Sequence, residues 1–253
     1  MSGTLYLVPN TLGDELRESQ LPRVLPSETI AQAARIQYWI VENAKTARAL
    51  LKAVGSICPL ICPIQEMHMS EWRGKDKKGE RQIDLKDLLS PLLAGHDMGL
   101  MSEAGLPAIA DPGSDVVRLA HQLNIRVMPL VGPSSLFLAL MSSGLNGQSF
   151  AFHGYLPVHN AHKVHALKQL EQESKRKHQT QIWIETPYRN AAMLESIIES
   201  LAPGTLACVA ADITLPTQWI RTATMSQWRE MIRQDPELLA RLHQRPAVFL
   251  LSA

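Results

Sequence analysis

Two segments rich in glycine and proline constrain this chain more than anything else in it: MSEAGLPAIADPGSD (residues 101–115) and VMPLVGPSSLFLAL (residues 127–140). Each follows a short apolar run and leads into a helix-like pattern. Two such turns in close succession read as the ends of neighbouring strands in an open α/β sheet, where these sheets bind ligands. Turns this tight expose backbone N–H and C=O groups that can grip a polar small molecule.

Around these turns, strand-like and helix-like runs alternate. TLYLV (4–8) reads as a buried first strand, Ser27 as the N-cap of a helix to about Arg35, and IQYWIVE (36–42) as a second strand. A helix follows over 44–54, a short third strand at PLICPI (59–64), a helix over 83–93 and a strand at MGLMS (98–102). Then come a helix over 112–123, with proline tolerated at its start, the strand IRVMPL (125–130) and a helix over 134–143. After Gly144 a second set begins with FAFHGYLP (150–157) and a polar helix over 160–177. QIWIE (181–185), LACVAA (206–211), 218–221 and PAVFLLS (246–252) read as strands, with helices over 189–201 and 226–233. The predicted fold class is α/β, with two α/β domains, 1–132 and 133–253.

Composition narrows the function classes. With 45% hydrophobic and 19% charged residues in 253, the chain matches a soluble globular protein with a sizeable core. Its net charge of +1 provides no global basic field for nonspecific nucleic-acid binding. The opening MSGTLYLVPN lacks a basic region and a long apolar core, and no stretch is long enough to span a membrane, so the expected location is the cytoplasm. Cys58, Cys62 and Cys208 sit in apolar surroundings and read as buried free thiols. No GxGxxG, GxxxxGK[ST] or GxSxG occurs. Glu66-Met67-His68 has the wrong spacing for a helical zinc pair, and no metal site is expected. His153, His159, His162 and His165 lie on a polar stretch that reads as a solvated face. LVPNTLGD (7–14) ends the first strand either as a plain turn or as the wall of a ligand site.

These residues carry a resemblance. LYLVPNTLGD resembles the opening LYLVxTPIGN of the tetrapyrrole-methylase superfamily, in its branch of ribosomal RNA ribose 2′-O-methyltransferases. VENAKTARALL (41–51) resembles that branch's AEDTRxTRxLL. LMSEAGLPAIADPG is similar to LVSDAGTPLISDPG, the most specific of the matches. VMPLVGPSSLFLALMSSGL is similar to VVPLPGPSAxxAALxxSGL, and FAFHGYLP to FxFxGFLP. IETPYRN (184–190) resembles YESPHRL, and AADITLP (210–216) stands where the family has AxELTK. The motifs keep their order over nearly the whole chain.

The resemblance implies two α/β domains, a homodimer, and S-adenosylmethionine held in a cleft between the domains without a Rossmann glycine fingerprint. It implies methyl transfer to a ribose 2′-hydroxyl, with ribosomal RNA as partner. Carried over residue by residue, it marks Pro9, Ser102, Glu103, Ala104, Gly105, Asp111, Ser134, Ser135, Leu136, Thr186, Ala211, Asp212 and Ile213 as cofactor-lining. A sulfonium donor is already activated, so the protein mainly positions the reactants. Glu42 and Glu103 are the catalytic candidates, because a hydroxyl acceptor gains from a base or polarising charge. Lys45, Arg48 and Arg189 are the substrate-contact candidates.

Plainer roles stand beside these. Ser134 and Asp111 are placed to cap helices, Gly105 and Gly113 to supply positive φ, Pro187 to make a turn, and the charged residues to form salt bridges. The departures from the pattern fall at charged positions. The family's Asp-Thr-Arg is Asn43-Ala44-Lys45 here, its SDAG aspartate is Glu103, and the Arg and Lys of RELTK are Ala211 and Leu215. The chain also ends where longer relatives add a C-terminal extension. WRGKDKKGER (72–81) and SKRKH are basic stretches suited to RNA phosphates or to solvent, the first also to a lid. Two alternatives remain: a methyltransferase of the same fold acting on a tetrapyrrole or other small molecule, and a non-catalytic cofactor-binding relative.

Overall fold

A computed structural model describes residues 2–13, 17–72 and 84–253. Asp14, Ile83 and the basic run from Arg73 to Arg81 lie outside the described residues, and so does the lid reading. The chain divides into two compact units, Met1–Ser134 and Ser135–Ala253.

In the first unit the elements run β1 (Thr4–Leu7), α1 (Arg17–Val24), α2 (Ser27–Ala34), β2 (Tyr38–Val41), α3 (Ala44–Gly55), β3 (His68–Glu71), α4 (Leu85–Leu88), α5 (Ser90–Leu93), β4 (Met98–Met101), α6 (Ser114–Gln122) and β5 (Arg126–Pro129). The strands form one sheet in the order β3-β2-β4-β1-β5, and every pairing is parallel. Parallel strands are covered on both faces, so they read as apolar runs, and all of β4 is buried. The pleat sends alternate residues to opposite cores. Trp39 and Val41 pack with Leu21, Ile30, Leu50 and Leu51 of α1–α3, whereas Ile40 packs with Leu92, Val116 and Ala120 of α5 and α6.

α3 shows how the sequence fixes an element. Ala47, Leu50, Leu51 and Val54 recur at helical spacing and are buried, and Asn43 caps the N-terminus by accepting from Lys45 N at 2.9 Å. Gly99 of β4 lies opposite Trp39 in the register. A Cβ there would stand 2.4 Å from Cζ3 of the indole, so only glycine fits beneath the ring.

The second unit contains α7 (Ser135–Ser143), β6 (Phe150–Tyr155), α8 (Asn160–Lys177), β7 (Thr180–Glu185), α9 (Asn190–Ser200), β8 (Leu206–Ala211), β9 (Trp219–Thr224), α10 (Met225–Gln234), α11 (Glu237–Ala240) and β10 (Ala247–Ser252). Its sheet, β6-β7-β10-β8-β9, is mixed: β6 and β7 are parallel and the other pairs antiparallel. Trp183 and Phe249 stack at 5.8 Å within its core. α10 opens with a capping box in which Thr224 accepts from Gln227 N and the Gln227 side chain accepts from Thr224 N.

Several local expectations change. PLICPI is not a strand: residues 59–63 are irregular with a bend at 61–62, followed by a 3-10 turn at Ile64–Glu66. Pro59 and Pro63 have no N–H to give a sheet ladder. The third strand is the polar edge strand β3. Ser27 is the first residue of α2 rather than its cap, a position taken by Pro26. Asp111 does not cap α6, whose N-cap is Gly113 at φ +132°. Cys208 is buried, but Cys58 and Cys62 are half-buried; all three are free thiols.

Candidate functional site

The strand order decides where the first unit can bind a ligand. From β1 the chain passes β4 to reach β2, whereas from β4 it passes β1 to reach β5. The connections leave these adjacent strands in opposite directions, which opens the carboxyl end of the sheet between them.

The loops after β1 and β4 are laced together there. Val8 N donates to Leu100 O at 2.8 Å, Asn10 N to Gly105 O at 2.9 Å, and Gly105 N to Thr11 O at 3.3 Å. Asn10 itself is fully buried. Its Nδ2 donates to Glu103 O at 2.8 Å and Ser102 O at 3.3 Å, while its Oδ1 accepts from Thr11 N at 2.8 Å. A third loop closes on these, since a Cβ on Gly132 would stand 2.3 Å from Pro9 Cβ. The loop after β4 carries positive φ at Gly105, Ala108, Ala110 and Gly113. Two of these are alanines, and such strain gathers where a backbone shape serves a ligand.

Acidic side chains gather on this scaffold. Register places Val41 beside Met101, so Glu42 and Ser102 leave adjacent strands together. Glu103 N donates to Glu42 Oε2 at 3.2 Å, and Asn43 Nδ2 to Glu103 Oε1 at 2.8 Å. Burial, reinforced by the Glu42 and Glu103 charges, pushes the Asp111 carboxyl up to about 6. The neighbouring Ser102 hydroxyl pulls it back down. Ser102 Oγ is buried, and the Asp111 carboxyl is the group its hydroxyl acts on.

The first unit therefore brings together Pro9, Glu42, Ser102, Glu103, Gly105 and Asp111, with Ala104 between the laced residues. Lys45 and Arg48 are exposed on α3. Asn10 and Asn43 were not among the sequence candidates. An Asn beside Pro and Thr reads as a turn former, and only its full burial reveals the clamp.

In the second unit, Ser135 and Leu136 begin α7, immediately after Ser134, the last residue of the first. Thr186 and Asp212 follow β7 and β8 on either side of β10, where Ala247 pairs with both Glu185 and Ala211. Arg189 is engaged: its Nε and Nη2 donate to Glu185 Oε1 at 2.9 and 2.6 Å, and Thr186 N donates to the same oxygen at 2.6 Å. Asp212 Oδ2 accepts from Arg245 Nε and Thr217 Oγ1, each at 2.7 Å. Ala211 and Ile213 are buried. His159 and His162 lie exposed at the start of α8, and His153 bonds Gln181 at 2.6 Å. Among the described residues no three His, Cys, Asp or Glu side chains are grouped to hold a metal ion, and no helix is long and apolar enough to cross a membrane.

No protein-family model matches the chain. It is similar to proteins named ribosomal RNA small subunit methyltransferase I. That of Escherichia coli O157:H7 is 32% identical over 154 residues, 61% of this chain and 52% of the relative. That of Synechocystis is 36% identical over 129 residues, 51% and 45% of the two chains. That of Xylella fastidiosa is 29% identical over 236 residues, 92% and 77%. The matches thus span about half the length of the first two relatives. Among solved structures, the uroporphyrin III C-methyl transferase of Thermus thermophilus superposes with a TM-score of 0.54 at 15% identity, over 99% of this chain and 97% of its own. The methyltransferase CobJ gives 0.58 at 15%, over 100% and 94%. At these identities the likeness is one of fold.

Proposed function

We propose that this chain, related in sequence to the small-subunit ribosomal RNA methyltransferase I proteins and in fold to the tetrapyrrole methylases, is an S-adenosylmethionine-dependent methyltransferase. Its acceptor in this reading is a ribose 2′-hydroxyl of small-subunit ribosomal RNA, and it works in the cytoplasm as a homodimer. Exposed Phe137 and Met141, one turn apart on α7, and Phe150, edge-on to Phe137 at 5.9 Å, offer an apolar surface suited to a second copy.

The observation that carries the reading is the loop after β4: Asn10 clamps the carbonyls of Ser102 and Glu103, and Ala108 and Ala110 are held at positive φ. Backbone held in so sparsely populated a shape is kept where it serves a ligand. The surrounding residues suit a zwitterionic cofactor, with apolar Pro9, a hydroxyl, and carboxylates for its cationic parts.

Bound there, S-adenosylmethionine supplies a methyl group on a cationic sulfur. The chain's own task is placement and exclusion of water. Asn10 holds the carbonyls of Ser102 and Glu103 so that the turn keeps one shape. Ser102, its proton turned to Asp111, offers its hydroxyl oxygen to the ligand. Glu42 or Glu103 takes the acceptor's proton, and exposed Lys45 and Arg48 meet RNA phosphate. Arg189, held by Glu185, serves as a structural residue. A tetrapyrrole acceptor is the second reading, favoured by the solved structures that share the fold.

Calorimetric titration of S-adenosylmethionine, then transfer of labelled methyl to small-subunit ribosomal RNA lacking the modification, tests this. Binding together with label on ribose supports the proposal. Binding with label on a tetrapyrrole instead selects the second reading. No binding overturns both.

A further inference from the structure

We propose that a small pocket in the second unit, walled by Trp219, Leu238 and Leu242 and rimmed by Gln218 and Arg241, takes one unstacked base of the RNA acceptor together with its phosphate. The inference rests on the RNA methyltransferase reading and adds a place where the acceptor strand is gripped, at residues other than those assigned to the cofactor.

The pocket measures about 210 Å³ and lies wholly within the second unit. Trp219 comes from the start of β9, Leu238 from α11, Arg241 and Leu242 from just after it, and Gln218 from the loop after β8. The Trp219 ring is half-buried and stands edge-on to Trp228 at 6.1 Å. Trp228 is fully buried, and its Nε1 donates to Ala207 O at 3.0 Å, so it holds the outer indole in one place. Arg245 ties the loops together. Its Nε donates to Asp212 Oδ2 at 2.7 Å, its Nη2 to Thr217 O and its Nη1 to Arg241 O at 3.4 Å. This frame is strained: Asp212, Thr214 and Gln244 have φ of +49°, +74° and +60°. Positive φ is an outlier for a β-branched residue such as Thr214, and strain of this kind gathers at ligand clamps.

Size and chemistry choose the occupant. The pocket is smaller than the about 300–1,000 Å³ of sites that engulf a whole small molecule. It has room for one flat heteroaromatic ring and not for a tetrapyrrole. A fixed indole between leucines offers a base a stacking surface, and stacking tolerates any base. Gln218 Oε1 accepts from Thr214 N at 2.9 Å, which leaves the Nε2 donors to meet a carbonyl on the base edge. Arg241 is 55% exposed and bonds Asp235 through Nη2 alone, a surface pair of small worth. Its other N–H groups can take a phosphate oxygen. Arg245 spends its donors inside the frame, so Arg241 is the phosphate contact. Asp212 and Asp235 offset the two arginines. Stacking, rather than a broad basic field, therefore supplies most of the grip.

The full-length protein is titrated with a short single-stranded oligouridine, with free uridine monophosphate and, separately, with S-adenosylmethionine. Trp219→Leu keeps apolar packing but removes the stacking ring, and should weaken oligouridine binding about tenfold. Trp219→Phe should recover most of the loss. Arg241→Ala, at an exposed side chain, should reduce the slope of log affinity against log salt by about 0.7, one phosphate's share on a single strand. An iodouridine placed in the oligonucleotide should cross-link under ultraviolet light to the peptide that contains Trp219. Affinity for S-adenosylmethionine should stay at the wild-type value in each variant, which also reports an intact fold. If Trp219→Leu does not fold, the Arg241→Ala slope and the cross-link decide. Wild-type oligouridine binding in Arg241→Ala, with the cross-link elsewhere, overturns the pocket and leaves the methyltransferase reading standing. Uridine monophosphate bound as tightly as the oligonucleotide overturns RNA as the occupant in favour of a free nucleotide. A wild-type protein that binds S-adenosylmethionine but no RNA overturns the pocket and the RNA acceptor together.

Discussion

Asn43 donates its side-chain amide to Glu103 Oε1 at 2.8 Å, so two departures from the methyltransferase pattern touch each other. The pattern has aspartate at both positions. Here one acid has become an amide that can donate, and the other has gained a methylene that lets it reach. The Asn43 Oδ1 remains free for its other task, capping α3 through Lys45 N. The changes are therefore one adjustment rather than two losses.

Asn43→Asp keeps the cap but loses the donated bond and opposes one carboxylate with another. It should destabilise the unit by about 0.5–1 kcal/mol at neutral pH, a surface-sized effect. Adding Glu103→Gln returns a donor and should recover most of it. A double-mutant cycle read by urea unfolding measures the coupling; additive effects would show that the contact carries no energy.

Asp111 makes stability fall with rising pH. Its folded-state value is raised to about 6, so between the ordinary aspartate range and 6 the folded protein binds more protons than the unfolded chain. The stabilisation present at low pH is lost as pH rises through that window. Asp111→Asn should remove this slope and be more stable than wild type at pH 7.5 by about 1–2 kcal/mol, after discounting for its partial exposure. The two proteins should converge below about pH 4. Urea midpoints at a series of pH values test the sign.

Gly99→Ala places a methyl 2.4 Å from the Trp39 indole, which is fully buried and cannot swing away. Overpacking of this kind costs about 1–3 kcal/mol. The melting temperature should drop, and near-ultraviolet circular dichroism of the tryptophan should change with it.

Arg189→Ala strips the Glu185 carboxylate, 2% exposed, of its cation. Charged hydrogen bonds of this kind contribute about 1.5–3 kcal/mol, so the variant should unfold earlier whether or not RNA is present. If instead its stability is unchanged and only RNA affinity falls, Arg189 is a substrate contact.

Apolar patterning made much of the fold legible. LACVAA and the helix over 160–177 match β8 and α8 because burial and polarity there are continuous. The pattern failed where the two signals separate. PLICPI is apolar but its prolines cannot join a ladder, while HMSE is polar and still pairs as an edge strand. α1 carries Pro22 inside it, a residue that argues against a helix in any sequence reading. At the candidate site the glycine turns and acids were visible as motifs. The clamp by Asn10 was not, because its partners are backbone carbonyls more than ninety residues away, with separations of 92 and 93.

The position of β1 has a consequence for how the protein comes into being. This first strand is flanked only by β4 and β5. During synthesis it has no strand to pair with until residues 98–101 have left the ribosome. The β2–β3 pair, close in sequence, can form earlier, and β4 then links it to β1. Long-range closure of this kind slows folding and leaves an apolar segment exposed in the meantime. The candidate site, which needs β1 and β4 side by side, therefore cannot exist until that long-range pairing has formed.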